Sequence, residues 1–180
     1  MSERNTLVRS LHDLGLAAWF GGSLMGAVGL NGAAAQAEPA SQKLKISSIG
    51  WGRWAPVQLA ALAAHGVGGV GLILGNKARL VNDEGTQINT AVKLALTGVA
   101  GAATLYSAIL GGTIAKHFDE DAEGVTEPGS GTSKQLAAAQ RKQKVAQWVL
   151  PAVTGVLIVL AAQQGEQQRP VAGWLHRTFG

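Results

Sequence analysis

The chain has no cysteine, few charges and few aromatic rings. Without cysteine there is no disulfide framework, no thiolate metal site and no cysteine nucleophile. Asp, Glu, Lys and Arg make up 14% of the 180 residues, where a soluble domain carries about 25%. The net charge of +4 reflects scarce acids, 11 against 15 bases, and so gives no sign of a nucleic-acid partner. What remains is hydrophobic (47%) and rich in glycine, with 25 residues. The length suits a single domain spanning 1–180.

The missing charges are missing in blocks. Residues 14–37, 54–76, 94–115 and 145–165 hold no Asp, Glu, Lys or Arg. About 20 apolar residues in a helix, at about 1.5 Å each, cross a hydrocarbon layer of about 30 Å. A soluble surface helix needs a polar face, which these runs lack. The expected fold is therefore all-α: an integral membrane four-helix bundle, antiparallel and up-down, with helices at about 12–36, 55–79, 90–116 and 145–164. The extramembrane loop 117–144 starts acidic and ends basic, and 133–144 has good helix formers. Trp51, Trp54 and Trp148 fall just outside helices two and four on one side, and Trp174 beyond the other end of helix four, as interfacial tryptophans do. The first run resembles a secretory signal at its ends, but its apolar stretch exceeds a signal's 7–15 residues. Lys and Arg divide almost evenly between the two sides, so they do not orient the termini.

Helices in lipid associate by close contact, which small residues permit. Gly15, Ala18, Gly22, Gly26, Gly29 and Ala33 follow steps of three and four along helix one. Ala60, Ala64, Gly68, Gly71 and Gly75 do so in helix two, and Ala100, Thr104, Ala108, Gly111 and Ala115 in helix three. Such stripes either close the bundle within one chain or face another subunit.

Ionisable groups inside a membrane are the natural candidates for chemistry. His65 falls near the middle of helix two and needs a partner there, such as Thr97, Thr104, Ser107 or Ser23. His12 starts helix one beside Asp13, His117 ends helix three and His176 lies in the tail. Counting residues from the helix ends separates His12 from His65 by about 16 Å in depth, which excludes a bis-histidine haem within one chain. Asp13 is expected to form an interfacial ion pair with Lys77 or Lys93. The run 66–71 fits G-x-G-x-x-G, but it lies within a helix and lacks the strand and exposed loop that the dinucleotide fingerprint requires. No catalytic motif and no cofactor signature appears, so the expectation is a non-enzymatic protein with no cofactor.

His12, with Trp19 and Gly21-Gly22 after it, resembles the first helix of the copper-resistance D-type membrane proteins and related small four-helix families. Arg53-Trp54 before helix two, Lys93 opening helix three and basic residues before helix four continue the likeness. It implies a bacterial cytoplasmic-membrane protein, with copper as a possible cargo and His12 as a ligand. Soft copper sites use Met, Cys and His, and the only sulfur donors here are Met1 and Met25. Two functions follow as expectations. The first is an interaction or accessory subunit, whose partners are the bilayer and other membrane subunits or further copies of itself. The second is a small transporter or metal-handling protein using His12, Asp13 and His65.

Overall fold

A computed structural model of the chain describes residues 6–167. Arg4, Arg169, Trp174, His176 and Arg177 lie outside the described residues. Four long helices carry the fold: α1 (Thr6–Ala34), α2 (Ser41–Gly75), α4 (Glu84–Ala115) and α5 (Lys134–Gln167), with a short α3 (Lys77–Asn82) between α2 and α4. Each long helix is long and apolar enough to cross a membrane. No strand forms among the described residues.

The helices overrun the charge-free blocks. α2 begins at Ser41, not near 55, because Leu44 and Ser47 on its first turns are buried against the rest of the molecule. Trp51 and Trp54 thus stand within α2, with their rings turned onto helix α1 instead of sitting beyond a helix end. Trp148 is exposed. Asp83 caps α4, accepting hydrogen bonds from the Gly85 N–H and the Thr86 hydroxyl, and so converts the Asn82-Asp-Glu-Gly85 turn into a helix start.

The α1–α2 contact is built on glycine. A Cβ on Gly15 would strike the backbone of Ala61 and His65, and one on Gly68 would strike the backbone of His12. Gly22 and Gly26 are floors for the rings of Trp54 and Trp51, and Gly71 receives Val8. Residue numbers rise along one helix as they fall along the other. Not every stripe member packs this way: Gly75, the last residue of α2, is exposed, as are Ala33 and Ala60. Gly29 faces only the side chain of Met25, four residues back on its own helix.

The reason for Gly29 is a π-helical turn over Gly26–Leu30. Such a turn absorbs one extra residue and passes the inward face to the next position. Beyond it Asn31 and Ala34 are buried, whereas Ala33, the position the small-residue stripe reaches after Gly29, is exposed. Asn31 is thereby brought inside.

α5 packs against both α1 and α4, whereas α2 and α4 hardly touch. The central core joins Leu16, Trp19, Ala100, Leu150 and Leu157. Trp19 is almost completely buried and donates its indole N–H to the Thr104 hydroxyl (3.1 Å). A second core gathers Leu44, Leu110, Ile114, Ala122, Leu136, Ala139 and Ala146 under the connection between α4 and α5. That connection is folded down on the helices through Ala122, Val125 and Leu136, while Asp119, Asp121 and Glu123 stay exposed. Gln140 donates to the Gly124 and Val125 carbonyls, Lys43 to the Glu123 carbonyl, and Lys144 pairs with Glu127 at 3.4 Å.

Candidate functional site

Because α2 and α4 splay apart, a cavity of about 250 Å³ opens where α1 begins, α2 ends and α4 begins. Its polar wall consists of Arg9, His12, His65, Asn76, Lys93 and Gln164, with the hydroxyls of Thr86, Thr90 and Thr97. Its apolar wall includes Val70, Leu72, Ile73, Leu80 and Leu94.

The two histidines meet there. Their ring centroids are 4.3 Å apart with the planes tilted by 38°. This overturns the depth separation deduced by counting residues. α1 starts by Thr6, a turn and a half earlier than expected, and the glycine contact at Gly68 sets His12 directly against the last third of α2. As placed, the rings remain too close for a haem iron between them. Each metal–imidazole bond runs about 2.0–2.1 Å, so two trans ligand nitrogens stand about 4 Å apart and their ring centres farther still.

The hydrogen bonds fix how each ring is held. His12 Nδ1 donates to the Asp13 carboxylate at 2.8 Å. His65 Nδ1 donates to the His12 carbonyl at 3.2 Å. Each imidazole, when neutral, therefore keeps Nε2 as the free lone pair, the form that accepts a hydrogen bond or a metal. The edge of Trp19 closes the other side of His65 at 6.0 Å. The partners expected for His65 are engaged elsewhere or apart from it. Thr104 takes Trp19, Ser23 donates to its own helix at the Trp19 carbonyl, Thr97 lines the cavity, and the buried Ser107 hydroxyl has no hydrogen-bond partner among the described residues.

Asp13 is an exposed residue bonded to His12, and Lys93 donates to the amide oxygen of Gln164. The carboxylate thus finds its hydrogen-bond partner in the neighbouring histidine, and Lys93 makes its contact with Gln164 instead. Lys77 opens α3, where it is exposed. His117 lies at the opposite end of α4, bonded to the Thr113 carbonyl at 2.8 Å and 3.9 Å from Glu120. Among the described residues, no group of three or more His, Asp or Glu side chains has metal-site geometry.

A second polar cluster went unread in the sequence. The Asn31 amide oxygen accepts from Ser47 (2.9 Å) and from the Trp51 indole (2.9 Å), and its NH2 donates to Gln147 (3.0 Å). One side chain thereby ties α1 to α2 and α5. The available signal was an Asn inside a charge-free run, since a buried amide in such a setting must find partners.

No family model matches the chain, and comparison with curated proteins and with solved structures gives no match.

Proposed function

We propose that the chain is a multi-pass integral membrane protein whose four long helices cross the bilayer in antiparallel, up-and-down order, and that it serves as a non-enzymatic interaction or accessory subunit of a membrane complex. The observation that carries the reading is the uncovered face of α4. Ala91, Ala95, Gly98, Ala102, Leu105, Ile109 and Gly112 are all exposed, and they follow one another in steps of four and three. They form one continuous stripe, small over most of its length. A Cβ added at Gly98, Gly101, Gly111 or Gly112 meets open space. Lipid covers any apolar wall, but small residues at helical spacing admit another helix to close range. Of the stripe expected from Ala100, Thr104, Ala108, Gly111 and Ala115, Ala100 and Thr104 turn inward to the central core, while Ala108 is exposed and a Cβ on Gly111 meets open space, which supports a contact between chains at that end of the helix.

The test is extraction from native membrane in mild detergent. A stoichiometric partner or a defined oligomer is expected, and Ala95→Leu with Ala102→Leu should dissociate it without lowering the melting temperature of the isolated chain. A monomeric wild-type chain with no companion would refute the reading.

A metal-handling or small-solute role, with the copper chemistry that the family likeness implies, is the second reading. It is favoured by the approach of His12 to His65, with Asp13 holding the His12 ring. Metal analysis of purified protein decides between them. Copper bound in the wild type and lost in His12→Ala would establish this role in place of the first.

A further inference from the structure

We infer that the cavity between α2 and α4 binds the oxyanion head, phosphate or carboxylate, of an acyl-chain amphiphile, with the tail leaving between the two helices. This rests on the membrane reading but not on the accessory role.

Among the described residues the lining has one sign of charge: exposed Arg9 and partly buried Lys93 are its charged groups, and no Asp or Glu belongs to it. Asp13, the acid nearby on α1, is engaged with His12 and lies outside it. The contact Lys93 makes is to a neutral amide oxygen, which orients the ammonium without cancelling its charge. Hydrogen-bonding groups surround it on three helices: Thr90 and Thr97 on α4, Asn76 just past α2, and Gln164 on α5. Taking the Lys93 ammonium and these hydroxyls out of water is costly unless something compensates, and an oxyanion satisfies both.

The second feature is the apolar side. Val70, Leu72, Ile73 and Leu94 line the same cavity, and a wholly water-soluble anion would leave them against water. At about 250 Å³ the space takes a head group and the first few carbons, but not a whole lipid. The exit is the gap where α2 and α4 hardly meet. Exposed Val67, Val70 and Leu74 on α2 and exposed Leu94 on α4 continue the apolar surface outward from it. A cationic floor, a collar of hydrogen-bonding groups and a greasy side door match a charged head on a hydrocarbon tail.

Native mass spectrometry and thermal unfolding of the full chain, in a neutral detergent, test this with four probes: phosphatidylglycerol, oleate, phosphatidylcholine and inorganic phosphate. Phosphatidylglycerol or oleate should bind about tenfold more tightly than phosphatidylcholine. Lys93→Met should remove about fivefold of that, the share of one basic side chain near an anionic lipid surface. Inorganic phosphate should give no shift at equal concentration. Lys144→Met, on the loop side, should keep the full preference. Gly69→Trp, placed to fill the gap, should lower binding of both tailed anions while leaving Lys93 intact. Phosphatidylcholine binding as well as phosphatidylglycerol, inorganic phosphate shifting the melt as much as oleate, or an unchanged preference in Lys93→Met and Gly69→Trp would each overturn the site. A chain that stays soluble and monodisperse without detergent would instead refute membrane insertion itself.

Discussion

The interior is decided at single residues in two ways, by absent side chains and by fully partnered ones. Gly68 has no room for a methyl group because the His12 backbone occupies that space, whereas Gly111 has nothing near it. Gly68→Ala should therefore force α1 and α2 apart and lower the melting temperature in detergent, while Gly111→Ala should leave it unchanged. Equal effects would mean that the helices do not approach as described. Asn31 is the opposite case, a polar side chain with three partners on two neighbouring helices. Interhelical hydrogen bonds in membrane proteins average about 0.6 kcal/mol each, so Asn31→Leu should cost about 2 kcal/mol in reversible unfolding. A double-mutant cycle with Gln147→Leu should return a coupling of about that average, and zero coupling would remove the pair from the account.

At the scale of the element, the π turn Gly26–Leu30 makes an unusual deletion experiment possible. The turn holds one residue more than an α-helix needs, so removing exposed Val28 should restore a regular helix with Asn31 still facing Ser47, Trp51 and Gln147. Removing exposed Ala17, in regular helix, should instead rotate everything on one side of the cut by about 100° and break the packing. The expected result is a monodisperse, cooperatively unfolding ΔVal28 protein and an aggregated ΔAla17 protein. If both fold alike, the extra residue is not where the structure has it. This element also shows a limit of reading stripes from sequence. Gly15, Gly22 and Gly26 keep to the repeat and pack against α2, but Gly29 follows the same repeat and does not, because the π turn has shifted the face.

For the whole molecule, the arrangement is uneven from end to end. One end is closed by the folded connection between α4 and α5 over Leu44 and Leu136, and the other holds the open cavity around His12, His65 and Lys93. On the proposed topology these ends lie on opposite sides of the membrane. The cysteine-free chain makes this simple to check. Single cysteines at exposed Gln36 and Ser130 should react with an impermeant thiol reagent from one side, and a cysteine at exposed Val81 from the other. Labelling of all three from the same side would exclude an even up-and-down crossing.

The amino-acid sequence alone determined that there are four long apolar helices and roughly where their centres fall. Charge is so costly in hydrocarbon that its absence over more than 20 residues can be read without knowing any neighbour. It also marked His65, because an ionisable side chain in such a run stands out, and His12 just ahead of one. Only the tertiary structure decided that the two rings meet, that Asp13 bonds to His12 and Lys93 to Gln164, and that Asn31 joins three helices. Those facts depend on the axial offset between helices and on which faces meet. A one-residue π turn or an earlier helix start changes both, and neither leaves a trace in composition or period.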